Sequence, residues 1–224
     1  MTSVQKSLGN EQARFNMIEQ QIRTWEVLDP NVLQMLHKVP REHFVPEAYQ
    51  GLAFADIEIP LIDGQSMLSP KLEARILQSL AIKPSDQVLH IGTGSGYFTA
   101  LLANMAAHVY SVEINAELSA TAAYKLAEHD IHNVTIELGN GIDGLKAHQP
   151  YDVIVLTGSS PVEPLNLRDQ LAIGGSLFVV LGSAPAMEAT LITRVSETGF
   201  NKQVIFETCL PELENAPQGN TFSF

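Results

Sequence analysis

A glycine-rich run, Gly92-Thr93-Gly94-Ser95-Gly96, and an acid about twenty positions further on, Glu113, have the types and spacing to grip a nucleoside. A residue without Cβ can take positive φ in a turn and lets the backbone come close to a ligand. A helix-forming run starts near Tyr97, and the first N–H groups of a helix lack partners of their own and face whatever lies over the loop. A carboxylate at Glu113 stands where such units accept hydrogen bonds from ribose hydroxyls. The spacing is G-x-G-x-G, with Tyr97 where a dinucleotide fingerprint has its third glycine, so no room is made for a pyrophosphate.

These residues need a scaffold, and the flanking pattern supplies one. Val88, Leu89 and Ile91 precede the turn, and VYSVE follows the helix-forming run. The order is strand, glycine turn, helix, strand, acid, which is a βαβ unit. Upstream, residues 1–9 read as a loose terminus. Ala13, Phe15, Met17, Ile18 and Ile22 recur at helical spacing from Asn10 to about Arg23. Asp29-Pro30 and Ser69-Pro70 each combine an N-cap residue with proline at the first helical position. Between these helix starts lies a proline-punctuated connector, VPREHFVPEAYQGLAFADIEIP.

Downstream, residues 116–129 read as a second crossover helix and 133–138 as a strand leading into Gly139-Asn140-Gly141. YDVIVL (151–156) reads as a buried parallel strand. Residues 164–173 read as a short helix, SLFVVLG as another strand, and 189–195 with 203–209 as a β-hairpin. The expected fold is α/β: a doubly wound, mostly parallel seven-stranded, Rossmann-like sheet with an antiparallel edge and an N-terminal helical elaboration. Residues 1–69 are expected to pack as a helical segment and loop on the core formed by 70–224.

Composition narrows the function classes. Hydrophobic residues at 45% and charged residues at 17% mark a globular chain. A net charge of −12 without any Lys/Arg run argues against a nucleic-acid footprint. The lone Cys209 precludes an internal disulfide and fits a reducing compartment. The N-terminus lacks the apolar core of a signal peptide, and no apolar run is long enough to span a bilayer. A cytoplasmic location is expected, with no metal and no membrane partner.

The glycine turn resembles motif I of the class I S-adenosylmethionine methyltransferases. The wider series VPREHFVP, DGQSMLSP, VLHIGTGSGYFTALLA, VYSVE, GNG, YDVIVL and LAIGGSLFVVLG resembles the protein-L-isoaspartate O-methyltransferase family from about residue 15 to 182. That family moves a methyl group from S-adenosylmethionine to the α-carboxyl of isoaspartyl residues in damaged proteins, and the ester then closes to a succinimide. The resemblance implies S-adenosylmethionine as cofactor and an isoaspartyl protein or peptide as partner. It assigns Gly92, Thr93, Gly94, Ser95, Gly96 and Tyr97 to the cofactor turn and Glu113 to the ribose. Asn140-Gly141 stands at the family's Asp-Gly beside the adenine, where an amide oxygen can still accept from the adenine amino group.

Several positions depart from the family pattern. Its active-site loop carries a serine two residues before the proline, and here that position is Leu68, which can neither donate nor accept. Ser66 and Ser69 are the neighbouring hydroxyls and hence the candidate catalytic residues, although Ser69 also serves as a helix N-cap and Ser66 as a solvated loop serine. His90 replaces the family's acid before the turn. A protonated imidazole there is expected to weaken S-adenosylmethionine relative to its demethylated product as pH falls; the alternative is a strand-end histidine with no electrostatic effect. Thr157-Gly158-Ser159-Ser160 replaces a run of alanines and reads as a spacer. FETCLPELENAP is only loosely similar to the family's closing Val-Pro-Leu segment.

The expected function is therefore protein carboxyl methylation. Two alternatives stand beside it: a catalytically silent protein that binds S-adenosylmethionine or S-adenosylhomocysteine, and a methyltransferase for another acceptor. TGSSP stands where amino-directed nucleic-acid methyltransferases carry their [DN]-P-P-[YF] signature, and Cys209 follows Thr208 instead of the proline of a cytosine-C5 nucleophile.

Overall fold

The computed structural model describes residues 3–219. Its helices are α1 (Ser3–Met17), α2 (Pro30–Lys38), α3 (Arg41–Phe44), α4 (Pro70–Leu80), α5 (Tyr97–Ala103), α6 (Ala116–Glu128) and α7 (Leu165–Arg168). The main sheet comprises β1 (Gln87–Ile91), β2 (His108–Glu113), β3 (Val134–Leu138), β4 (Tyr151–Ser160), β5 (Leu171–Ser183), β6 (Ala186–Arg194) and β7 (Phe200–Glu207). Their spatial order is β3-β2-β1-β4-β5-β6-β7, with the first five parallel, β6 antiparallel to β5 and β7 antiparallel to β6. The order reverses between β1 and β4, so the crevice beyond the carboxyl ends of these strands is the natural ligand position. This is the doubly wound, mostly parallel seven-stranded sheet that the sequence pattern leads one to expect.

Side chains alternate across the sheet with the two-residue period of a strand. Val88, Val153, Val155, Phe178 and Val180 face one side, where they join Ile76 and Leu77 of α4 and Leu101 of α5. Met17, Ile18, Ile22, Leu36 and Phe44 from the N-terminal segment belong to the same continuous core. Leu89, Ile91, Ile154, Leu156, Leu177 and Val179 face the other side, which is covered more thinly by Leu167 of α7 and by Ile142 and Leu145.

Local structure departs from expectation in three places. Helix α1 begins at Ser3, so a loose terminus is wrong for residues 3–9, and residues 1–2 lie outside the described residues. Once Met17, Ile18 and Ile22 are anchored in the core, adding turns to a nucleated helix costs little. The helix expected over 164–173 stops at Arg168, because Leu171 already pairs with Tyr151 in the sheet. Gly174, at φ 88°, then sits in the bulge that returns the chain to register. At the far edge β7 ends at Glu207, which leaves Cys209 beyond the strand and exposed. Asp29 does cap α2, accepting from the Asn31 N–H at 2.8 Å. Among the described residues no helix is long and apolar enough to cross a membrane.

Candidate functional site

A cleft of about 290 Å3 opens where the strand order reverses, lined by residues from the glycine turn, the end of β2, the loop after β3 and the end of β4. Gly92, at φ 96°, forms its floor, and a Cβ there would lie 2.6 Å from the Thr157 hydroxyl. Glu113, at the end of β2, is buried yet reaches the cleft. One of its carboxylate oxygens accepts from the Gly94 N–H at 2.7 Å and the other from the Asn115 N–H at 2.9 Å. A carboxylate has about four acceptor sites, so two remain for a ligand's hydroxyls. The acid is thereby locked to the turn it serves.

Asn140 and Gly141 line the opposite wall. The Asn140 side-chain oxygen accepts from the Ile142 N–H at 3.1 Å, which sets the turn. At Gly141 a Cβ would come within 2.7 Å of Ile91 Cγ2 and 3.2 Å of Val112 Cβ, so a side chain there would displace the floor residues.

Of the sequence-expected site residues, Gly92, Gly94, Glu113, Asn140, Gly141 and Ser66 line the cleft. Thr93, Ser95, Gly96 and Tyr97 do not; they build the turn from behind. Thr93 Oγ1 bonds Ser111 Oγ at 2.7 Å, and the Ser95 hydroxyl accepts from the Tyr97 N–H at 3.3 Å. Tyr97 is buried against Phe44 and beneath the Arg41 guanidinium, which lies 4.9 Å from its ring centroid.

His90 requires a correction. It does not reach the cleft but is fully buried beneath the turn. Its Nδ1 lies 3.0 Å from Thr99 Oγ1 and 3.2 Å from Ser111 Oγ, and its Nε2 lies 3.2 Å from Thr157 Oγ1. Burial pushes the imidazole down to about 3, so it stays neutral at pH 5–8. The expected opposition between a protonated His90 and a cationic cofactor therefore has no basis at ordinary pH.

A short hairpin, Ile59–Pro60 paired with Ser66–Met67, hangs over the cleft. Its tip residues Asp63 and Gly64 line the opening, and Asp63 accepts from the Asn115 side-chain amide at 2.6 Å. The Ser66 hydroxyl donates to Glu58 at 3.1 Å, whereas Leu68 lines the cleft without a polar side chain and is otherwise buried in the main core. Ser69 occupies the N-cap position of α4, yet its hydroxyl makes no capping bond, and the residue does not line the cleft. The hairpin's return is fixed from below by Arg41, a fully buried residue that donates to the Leu68 carbonyl at 2.7 Å, to the Ala53 carbonyl at 2.9 Å and to the Glu73 carboxylate. Sequence reasoning flagged the VPRE segment without seeing what its arginine holds.

The remaining wall comes from the C-terminal segment whose family counterpart is expected at the substrate groove. Residues 210–214 run beside the end of β4 as a strap: Ser159 N–H donates to the Pro211 carbonyl at 2.8 Å, and Leu213 N–H to the Ser159 carbonyl at 2.9 Å. The Ser159 hydroxyl adds a bond to the Leu210 carbonyl at 2.9 Å. A Cβ at Gly158 would strike Leu213 at 2.7 Å. The Thr157–Ser160 run is thus the extension of β4 that seats the strap, and not a spacer. Four carboxylates, Asp63, Glu113, Glu212 and Glu214, line the cleft, and among the described residues no Lys or Arg does.

Residues 12–209 match the family model described as protein-L-isoaspartate(D-aspartate) O-methyltransferase. A protein-L-isoaspartate O-methyltransferase of Protochlamydia amoebophila is 41% identical over 179 residues, which is 80% of this chain and 84% of the relative. One of Rhodopseudomonas palustris is 40% identical over 188 residues, covering 84% and 86% of the two chains. The backbone is similar to that of a Plasmodium falciparum protein assigned as a protein-L-isoaspartate O-methyltransferase and solved with S-adenosyl-L-homocysteine. The TM-score is 0.77 over 92% of this chain and 98% of that one, a likeness of fold at 20% identity.

Proposed function

We propose, for a chain that belongs to the protein-L-isoaspartate(D-aspartate) O-methyltransferase family, that it methylates the α-carboxyl of isoaspartyl residues in proteins, using S-adenosylmethionine held in the cleft above β1, β2 and β4. The observation that carries this reading is the charge of that cleft. Every ionisable group among its lining residues is a carboxylate, which suits a ligand bearing a sulfonium and an ammonium.

The residues present fit that cofactor. Glu113 keeps two acceptor sites for ribose hydroxyls after serving Gly94 and Asn115. The Asn140 amide stands at the wall where an adenine amino group could donate, and Gly141 keeps that wall open. Thr93, Ser95, Gly96, Tyr97 and His90 act by shaping the turn. The cofactor supplies an electrophilic methyl group.

The chain's own contribution is orientation and exclusion of water. An isoaspartyl carboxylate is already ionised at neutral pH, so no general base is required. What remains is to hold nucleophile and methyl group in line, the proximity effect of a closed site. The hairpin tip, Leu68 and the strap enclose the space where the two would meet. Ser66 brings a hydroxyl to the cleft lining, and its proton is directed to Glu58.

Leu68 favours a second reading, a cofactor-binding protein that transfers nothing to this acceptor. Two measurements separate them: transfer of labelled methyl to an isoaspartyl peptide against its aspartyl twin, and calorimetric titration with S-adenosylhomocysteine. Label in the isoaspartyl peptide alone supports methylation. Tight nucleoside binding with label in neither peptide supports the silent protein, and no binding at all defeats both.

A further inference from the structure

We propose that His90 is a positioning residue for the cofactor, acting through the Thr157 hydroxyl on the Gly92 carbonyl at the floor of the cleft. The inference rests on reading the cleft as the S-adenosylmethionine site. It starts from the count of protons. Thr157 Oγ1 lies 2.8 Å from the Gly92 carbonyl, 3.1 Å from the Ile91 carbonyl and 3.2 Å from His90 Nε2. A carbonyl oxygen can only accept, so the single hydroxyl proton goes to the backbone. The hydroxyl oxygen must then accept, and the imidazole Nε2–H is the donor that faces it. On the other side of the ring, Nδ1 is left bare to accept from Thr99 or Ser111, at 3.0 and 3.2 Å.

The chain of bonds runs from β2 and α5 through the ring to β4 and back to the turn after β1. The one Thr157 proton is shared between the Gly92 carbonyl, the nearer at 2.8 Å, and the Ile91 carbonyl at 3.1 Å, and the ring N–H supplies the hydroxyl oxygen. A carboxylate in place of the imidazole, the residue type of the wider family, has no proton for Thr157. It would instead draw the Thr157 proton toward itself and release the two carbonyls. The histidine and the threonine act together on Gly92, which with Thr157 forms part of the cleft wall. A carbonyl has a second lone pair, so Gly92 can hold Thr157 and still present an acceptor to a cationic group in the cleft.

None of the groups facing the ring ionises in the relevant range: Thr99 from α5, Ser111 from β2, Thr157 from β4, and the Phe98 ring, whose centroid is 5.5 Å away. Depression of the imidazole by burial agrees with a neutral donor. The device sets affinity by geometry, without a charge.

Two measurements test it. In the unmodified protein, two-dimensional nitrogen–proton NMR of the histidine rings should show His90 protonated on Nε2 and bare on Nδ1; the opposite tautomer overturns the proposal. Calorimetric titration with S-adenosylhomocysteine then compares folded variants, checked by thermal melting. Thr157→Ser, which keeps the hydroxyl, should bind within about twofold of the parent, while Thr157→Val should bind roughly five- to tenfold more weakly, the worth of about one hydrogen bond. His90→Leu should weaken binding to the same extent, and His90→Leu with Thr157→Val no further, because both remove one device. Equal binding by Thr157→Val and the parent, or losses that multiply in the double variant, would sink the idea. A parent that binds no nucleoside would defeat the function proposed above, while the tautomer would still decide the bond assignment.

Discussion

The guanidinium of Arg41 donates to the backbone carbonyl of Leu68 across 2.7 Å, so a fully buried cation in the N-terminal segment holds a residue that lines the cleft. The same fork reaches the Ala53 carbonyl and the Glu73 carboxylate, tying the connector and the start of α4 to the N-terminal segment. Burial pushes the Glu73 carboxyl up to about 7, and Arg41 pulls against that rise.

Arg41→Lys should therefore not be conservative. An ammonium keeps the charge but cannot satisfy a planar arrangement of three acceptors, so at least one buried carbonyl loses its donor. The expected loss of stability is about 1–3 kcal/mol. Arg41→Met also strips Glu73 of its partner and should cost about 3–5 kcal/mol, with part recovered by adding Glu73→Gln. Denaturant unfolding of the four proteins measures this. A lysine variant as stable as the parent would show that the fork geometry contributes nothing.

Leu68→Ser should raise methyl transfer to an isoaspartyl peptide. Leu68 lines the cleft at 6% exposure and also packs in the main core, so the variant should lose some stability, while its carbonyl keeps the Arg41 guanidinium as donor. A hydroxyl able to donate to a carboxylate is worth about 1.5–3 kcal/mol, or roughly ten- to a hundredfold in rate where it is made in the transition state. The comparison is kcat/KM on the isoaspartyl peptide for variant and parent, with folding confirmed separately. No gain in a folded variant would mean that the acceptor site differs beyond this one loop position.

The glycine turn, its strands and Glu113 were legible in the sequence because each is a local demand: a turn without side chains, a two-residue alternation, an acid at a fixed distance. The hydroxyl of Thr157 and the strap were not legible. Ser159 bonds Leu210, 51 residues away, and nothing in either segment's own pattern specifies that pairing. Arg41 and Glu73 are 32 residues apart and meet only when the N-terminal helices pack on α4. The choice between the two readings of His90 was not legible for a related reason. Its sequence neighbours place it beside the turn, but only the fold shows that it points under the turn and away from the ligand.

Gly141→Ala should weaken cofactor binding more than it destabilises the fold. A methyl group at this position meets Ile91 Cγ2 at 2.7 Å and Ile91 Cδ1 at 2.9 Å, closer than van der Waals contact permits. Relief requires Ile91 or the 139–142 loop to shift, and both line the cleft. Overpacking of this kind costs about 1–3 kcal/mol. The expected pattern is a drop in affinity for S-adenosylhomocysteine of at least about tenfold, with a thermal midpoint a few degrees lower. Unchanged affinity would indicate that the loop yields away from the ligand.

Stability should fall with acid partly because of His90. Its folded value is depressed to about 3 from 6.5 in the unfolded chain, so between those limits the unfolded state binds the extra proton. The imidazole's contribution is complete above pH 6.5 and declines by up to about 1.4 kcal/mol for each unit below it, until the folded ring itself protonates near 3. Glu73 acts with the opposite sign. Its folded value is raised, so its contribution is complete below its unfolded value of 4.5 and is lost as pH rises toward 7. The two slopes oppose each other from 4.5 to 6.5, and the parent's own profile cannot isolate either. The decisive quantity is the difference in unfolding free energy between the parent and His90→Gln, measured at pH 7.5, 6 and 5. Glutamine keeps a donor and an acceptor but does not titrate, and Glu73 lies in a separate cluster around Arg41 and cancels in the subtraction. The parent should lose about 1–2 kcal/mol relative to the variant between pH 7.5 and 5. A difference that stays constant across that range would mean that His90 takes up its proton in the folded protein as readily as in the unfolded chain, which a fully buried ring without a counter-charge should not do.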